Sequence, residues 1–137
     1  MSERHESPEE LMEYVEEVAR RMPEVTDALR RQGRDLEDRL PYMWIEGFQR
    51  YVLERFRRAR ADVTVEVEKD PWLRQALDVV EEGMTSPYDT VREMVRVGVL
   101  ELIWHDEPGI VHMLGPSCRE YVERERREAL GRKRRSQ

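Results

Sequence analysis

The stretch LPYMWIEGFQRYVLERFRRARA, residues 40–61, decides the fold because it has the strongest helical pattern in the chain. Its proline suits the first position of a helix, where a backbone donor is not needed. Large apolar side chains then recur every three or four residues, which places them on one face. They are Trp44, Phe48, Tyr51, Val52 and Phe56. With arginines opposite them, the stretch predicts a long amphipathic helix, in which Gly47 is expected where another backbone approaches closely.

Working outward, the other segments are bounded by prolines and glycines in the same way. Prolines begin helices and glycines end them, so these residues divide the chain into further predicted helices. The predicted helices cover residues 7–22, 23–33, 70–83, 86–104 and 115–130. Ser7 and Glu10 suggest a capping box, and Gly33 and Gly83 are expected helix stops.

Two segments carry more specific expectations. In residues 86–104, one face contains Val91, Met94, Val95, Gly98 and Leu102. Other apolar residues nearly fill the remaining faces after residue 97, so this helix should begin at the surface and finish buried on most sides. Residues 62–68 instead alternate valine with polar residues. Without a second strand to pair with, they are expected to form an extended connector or an irregular helix start.

These patterns predict an all-α fold. We expect an irregular bundle, or a short stack, of about six helices in antiparallel hairpins. Residues 1–130 should form a single helical domain, and the basic residues 131–137 should form a disordered tail because they contain no apolar side chain.

Composition limits the classes of function. The 137 residues are 39% hydrophobic and 39% charged, include one cysteine and carry a net charge of −6. No apolar run resembles a membrane span or a signal peptide, so we expect a cytoplasmic protein with no membrane partner. The acidic total makes nucleic acid an unfavoured partner, since nucleic-acid binding calls for a broad basic face.

A cluster of polar residues in the stretch 98–117 raises the possibility of an enzyme. It contains His105, Asp106, Glu107 and His112, but Pro108 and Gly109 interrupt the helical spacing that would bring the histidines together. No H-E-x-x-H motif and no cysteine pair accompanies them. We interpret the cluster as the polar end of a buried helix. Cys118 falls on an inward stripe, so it is expected to pack rather than react. The prediction is therefore no catalytic residue, no metal and no cofactor.

Several residues are candidates for contact with a protein partner. Glu81, Glu82 and Asp106 fall at the C-terminal ends of helices, where negative charge is locally unfavourable. Contact with a basic protein surface would explain them, although simple solvation is the alternative. Trp44 and Trp104 are expected in the core, or at its rim as interface anchors, and His105 adjoins Trp104.

The segments LPYMWIEGFQRYVLE, ALDVVEEGMTSPYDTVREMVRVGVLELI and MLGPSCREYV together resemble a family of small bacterial all-helical proteins of uncharacterised activity. The resemblance covers roughly residues 40–122. The matching positions are Leu40, Pro41, Glu46, Glu82, Val91, Leu100, Glu101, Gly115 and Pro116. Relatives of that family resemble the immunity proteins that accompany bacterial polymorphic toxins. The Val-rich segment 62–68 and the Arg-rich tail depart from the family pattern.

The resemblance, the small size and the acidic balance together favour a non-enzymatic helical module that neutralises a basic protein partner, as an immunity or antitoxin-like protein does. Glu46 and Glu101, which match the family on otherwise apolar stretches, are its first candidate contacts. The alternative is a nucleic-acid-associated regulator that uses the Arg-rich helix 50–60 and the basic C-terminal tail. The sequence leaves the oligomeric state open.

Overall fold

The computed structural model describes residues 9–33 and 41–135, which contain seven α-helices and no strand. The helices are α1 (Glu9–Arg21), α2 (Pro23–Arg31), α3 (Pro41–Ala61), α4 (Pro71–Met84), α5 (Asp89–Val95), α6 (Glu101–Asp106) and α7 (Pro116–Arg135). The predicted all-α fold is confirmed. The segment Arg96–Leu100 joins α5 to α6 without a break, so these two helices form one long rod, as the sequence predicts.

The helix α3 lies at the centre of the fold. It packs on α1, α2, α4 and the segment Arg96–Leu100. Its apolar stripe is buried, because the side chains recur at helical spacing and neighbouring helices cover them on several sides. The largest of these side chains are Trp44, Ile45, Phe48, Val52, Leu53 and Phe56. Each contributes about 1.5–3 kcal/mol relative to remaining exposed to water.

Prolines begin several helices in the predicted way. Met22 has φ −128° and ψ 66°, so α1 ends there and α2 starts at Pro23. Asp70 caps α4, since its carboxylate accepts hydrogen bonds from Trp72 N at 2.9 Å and Leu73 N at 3.1 Å. Gly33 has a φ of 76°, the left-handed geometry expected of a glycine stop. The predicted cap at Ser7 lies outside the described residues.

Gly83 and Gly47 differ from their predicted roles. The helix α4 continues through Gly83 to Met84, so the prediction of a stop at Gly83 is wrong. A Cβ at Gly83 would lie 2.6 Å from Val95 Cγ2, which shows that the position accommodates a packed side chain. A Cβ at Gly47 would meet Leu29 Cδ2 at 2.6 Å, so a side chain and not a backbone approaches there. Both glycines make room for a neighbouring helix.

The connector between α3 and α4 contains no strand. Residues 62–66 form an exposed turn, in which Asp62 accepts hydrogen bonds from the backbone and hydroxyl of Thr64. A short 3₁₀ turn, Val67–Lys69, then leads into α4. The alternation of valines therefore belongs to a connector.

The segment Arg96–Leu100 is a π turn, with a hydrogen bond from Glu101 N to Arg96 O across five residues. Such a turn holds one residue more than an α-turn and rotates everything after it. Ile103 is consequently buried, whereas Leu102 is 43% exposed and Val97 is 44% exposed. The prediction that Leu102 faces inward, and that this rod finishes buried on most sides, is wrong.

The helix α7 follows a 3₁₀ segment, Pro108–Met113, and packs on α4. It includes residues 131–135 as exposed or half-buried helical residues. The predicted boundary between a domain and a basic tail stays a prediction. No helix in the described part of the chain has the length and apolar character needed to cross a membrane.

Candidate binding groove

A surface groove of about 330 Å³ lies between α3 and the rod formed by α5, the π turn and α6. One wall of the groove belongs to α3, and the other belongs to the π turn and α6. Its lining residues are Glu46, Gln49, Arg50, Val97, Gly98, Glu101, Leu102 and His105. We refer to these eight residues as the α3–π groove.

The base of the α3–π groove contains Gln49 and Gly98, the two lining residues that are buried. Gln49 is 2% exposed, and no hydrogen bond joins its side-chain amide to another group among the described residues. A Cβ at Gly98 would lie 2.6 Å from Ile45 Cγ2, so the π turn and α3 are in close contact. The amide atoms of Gln49 are not among the fully buried side-chain atoms that lack a partner, so the little surface that Gln49 exposes presents its amide to the groove.

The rim of the α3–π groove combines charge with apolar surface. Glu46 on α3 and Glu101 on α6 have no cation within 4.0 Å in the part of the chain that the structure describes, and Arg50 has no carboxylate there. Val97 and Leu102 expose nearly half of their surface beside these charges. The groove therefore offers two open carboxylates next to apolar side chains.

The structure brings together Glu46, Glu101 and His105 among the predicted partner contacts. Trp104 is half-buried and stacks on His105 with 4.0 Å between ring centroids. Trp44, by contrast, is 1% exposed and packs beside Phe48 in the core. Trp44 therefore offers no surface to a partner in this structure, whereas Trp104 is half-buried beside His105 and is not one of the groove residues.

Glu81 stabilises the start of α7. Its carboxylate accepts hydrogen bonds from Ser117 N at 3.0 Å and Cys118 N at 3.1 Å. Burial raises the pKa of Glu81, but these hydrogen bonds outweigh burial, and the pKa lies below its ordinary value. The position of Glu81 near the end of α4 is thus explained by its contact with the N-terminus of α7.

Glu82 and Asp106 contact cations of this same chain. Glu82 pairs with Arg21, with 2.6 Å between Oε1 and Nη1. Asp106 lies 4.0 Å from Arg57. Both carboxylates stay partly exposed, so they contribute to the surface but already have internal partners.

Glu107 is the buried carboxylate of the polar stretch 98–117, and it is 7% exposed. It pairs with Arg57 at 2.6 Å and with Arg60 at 2.7 Å, both on α3. The hydrogen bond from Arg57 lowers the pKa of Glu107, burial acts in the opposite direction, and the charge of Arg60 lowers it further. Glu107 therefore ties the end of α6 to α3.

His105 and His112 are not brought together. His105 lines the α3–π groove, whereas His112 lines a different groove and lies 3.5 Å from Glu68. Among residues 9–33 and 41–135, no three His, Cys, Asp or Glu side chains form a group suited to a metal ion. Cys118 is buried, and burial with the adjacent Glu81 raises the pKa of its thiol.

Sequence reasoning missed Gln49, Arg50, Val97 and Leu102 as groove residues. For Gln49 a signal was present, since it stands one helical turn after Ile45 and before Leu53, on the buried stripe of α3. A polar residue at such a buried position is a site candidate. No comparable signal marks the π turn, which depends on contacts between helices.

The chain matches no protein-family model, no curated protein and no solved structure. The resemblance to immunity-type helical proteins therefore stays a prediction.

Proposed function

We propose that this protein is a non-catalytic helical binding module that neutralises a basic protein partner, as immunity proteins do. The observation that carries the proposal is the joining of Glu46 and Glu101 in one groove. They lie 55 positions apart in the sequence but line the same groove. The sequence predicts both as partner contacts.

The composition of the α3–π groove supports a protein partner. Protein interfaces combine an apolar centre with a polar rim, and Val97 and Leu102 supply apolar surface beside the two carboxylates. Opposite charge on the partner would speed association and select against acidic proteins. The neighbouring Trp104 adds an aromatic side chain of the kind enriched at binding hot spots.

The other acidic candidates are less suited to this role. Glu81 caps α7, and Glu82 is paired with Arg21, so a partner would have to compete with an existing contact. A partner that binds the carboxylates of Glu46 and Glu101 would not have to displace an ion pair among the described residues. The proposal includes a cytoplasmic location, which is supported by a single cysteine, Cys118, that is buried and free.

Co-expression with the product of the adjacent gene tests the proposal. We expect the two proteins to co-purify, and we expect this chain to relieve any toxicity of that product. The double variant Glu46→Arg/Glu101→Arg should weaken the complex by roughly 100-fold or more, because like charges would then face the basic partner.

The matched control is Glu16→Arg/Glu123→Arg, which changes the net charge equally. Both residues are exposed and lie outside the groove. Equal loss of binding in the two double variants would indicate a general charge effect and contradict the assignment to the groove. If no complex forms and toxicity is not relieved, the proposed function is wrong as a whole.

One observation keeps the nucleic-acid alternative as a second candidate. Four arginines and one carboxylate line a common groove near the end of α7: Arg124, Arg127, Arg132, Arg135 and Glu128. The predicted basic face of α3 is weaker than expected, since Arg55, Arg57 and Arg60 pair with carboxylates of this chain. The alternative predicts binding to DNA or RNA that falls steeply with salt, and flat titrations at low salt would eliminate it.

A further inference from the structure

We propose that the α3–π groove receives one arginine side chain of the basic partner. The inference rests on the proposed function and deepens it, because it names the chemical group that the groove binds. Three features carry it: the amide that the largely buried Gln49 presents to the groove, the two carboxylates that line the same groove, and the adjoining apolar surface.

Gln49 presents a polar amide to the groove. Its amide oxygen can accept hydrogen bonds and its nitrogen can donate them, yet neither has a partner among the described residues. Gln49 lines the groove from a buried position on α3. A ligand group that enters the groove and carries N–H donors would satisfy the oxygen.

The charges indicate a cation. Glu46, Glu101 and Arg50 together give the groove one net negative charge when His105 is neutral. Glu46 stands on α3 and Glu101 on α6, so the two walls of the groove each contribute a carboxylate. A guanidinium group has five N–H donors in a planar fork, which suits several acceptors around one point better than the compact ammonium of lysine does.

The apolar surface suits the stem of an arginine. Long cationic side chains bury their methylene groups along apolar surface while the charged head reaches polar groups. Val97 and Leu102 on the rim provide such surface. A volume of about 330 Å³ admits one long side chain together with water, and it is at the low end for sites that enclose drug-sized ligands.

Arg50 is the internal competitor for this site. It lines the groove but has no carboxylate within 4.0 Å among the described residues, so it leaves both acidic groups open. Because its charge repels an incoming cation, Arg50→Ala should strengthen binding by about threefold to tenfold. Substitutions of Glu46 or Glu101 should instead weaken binding of the cationic side chain.

Nuclear magnetic resonance titration of the full chain tests the inference. The probe is the peptide acetyl-Gly-Arg-Gly-amide, compared with the same peptide containing citrulline, a neutral isostere, and with a lysine version. We expect the arginine peptide to shift the Gln49 side-chain amide and the Gly98 backbone amide. Titration to tens of millimolar covers the weak affinity, about millimolar, of a single side chain.

The expected ranking is arginine first, lysine weaker and citrulline weakest, with about tenfold between arginine and citrulline. Glu46→Gln and Glu101→Gln should each weaken binding of the arginine peptide about threefold to tenfold. The matched control Glu123→Gln, on the exposed surface of α7, should leave it unchanged. Equal binding of arginine and citrulline peptides, shifts confined to other surfaces, or no shift at all would overturn the inference.

Failure of the inference and failure of the proposed function give different results. If the adjacent protein binds through Glu46 and Glu101 but the peptides do not bind, the function stands and the arginine assignment is wrong. If the peptide binds as expected but no protein partner is captured, the groove recognises arginine and the neutralising role is wrong.

Discussion

At the scale of single residues, three glycines on helices are required by what packs against them. A Cβ would lie 2.6 Å from Leu29 at Gly47, from Val95 at Gly83 and from Ile45 at Gly98. The sequence predicts a close approach at Gly47, a helix stop at Gly83 and an inward position at Gly98, although glycine lowers helix stability. The neighbour that makes it necessary belongs to another helix and is invisible in the local pattern.

Gly98→Ala should therefore destabilise the protein, although alanine is the better helix former. Because the new methyl group would press on Ile45, we expect the free energy of unfolding to fall by about 1–3 kcal/mol. Urea unfolding followed by circular dichroism measures the change.

The matched control is Gly131→Ala on α7, where the nearest atom to a new Cβ lies 3.5 Å away. There the helix propensity of alanine should dominate and stabilise the protein by up to about 1 kcal/mol. If Gly98→Ala stabilised the protein as Gly131→Ala does, the close contact with Ile45 would be wrong.

At the scale of elements, the π turn Arg96–Leu100 decides which residues the α3–π groove exposes. Regular helical spacing predicts that Leu102, like Gly98, lies on the inward face. That prediction is wrong because the π turn holds one extra residue. The turn thereby buries Ile103 and exposes Leu102. Gly98, which belongs to the same turn, packs on Ile45 of α3. The helical register of this segment therefore depends on its contact with α3.

Truncation of the two neighbouring residues distinguishes the two registers. We expect Ile103→Ala to lower the free energy of unfolding by about 2–5 kcal/mol, since it leaves a cavity in the core. Leu102→Ala should change it by about 0.5 kcal/mol or less, because the side chain is already largely in water. Chemical unfolding of both variants provides the measurement, and the reverse order would restore the regular helical register.

At the scale of the whole molecule, three carboxylates join segments that are distant in the sequence. Asp70 pairs with Arg55 of α3 while capping α4, Glu81 joins α4 to α7, and Glu107 joins the end of α6 to α3. Burial raises the pKa of Asp70, but hydrogen bonds from Leu73 N and Arg55 outweigh it. Each of the three pKa values therefore lies below its ordinary value.

A carboxylate whose pKa is lowered by folding stabilises the protein above its unfolded pKa, and this contribution is lost as the pH falls through the folded pKa. The ordinary values are 3.8 for Asp and 4.5 for Glu, so stability should change little between pH 7 and 5.5 and fall steeply below about 4.5. Urea midpoints measured across this range test the prediction.

Glu81→Gln should reduce the acid-dependent loss, because one of the titrating carboxylates is gone, and should lower stability at pH 7 by about 0.5–1 kcal/mol. Glu123→Gln, which removes an exposed carboxylate, serves as its control. A variant that kept the full acid dependence of the wild type would show that Glu81 is not an effective cap of α7.

Part of the binding groove could be predicted from the sequence. The sequence places Glu46 and Glu101 as polar residues on apolar stretches, and it places His105 at the polar end of a helix. Their meeting in one groove depends on how α3 crosses the π turn, which no local pattern encodes. The sequence could not predict the burial of Trp44. A position on an apolar stripe does not show whether a side chain lies in the core or at the edge of the core, where a partner could reach it.

The sequence by itself determined the helical class, the central helix and most helix boundaries, because periodic apolar residues, proline and Gly33 act through short-range geometry. Only the tertiary structure decided that Gly83 lies inside α4, that Leu102 faces water and that Glu81 caps α7. Those features arise from contacts between helices, and a residue's neighbours along the chain do not reveal which side chain of another helix will lie against it.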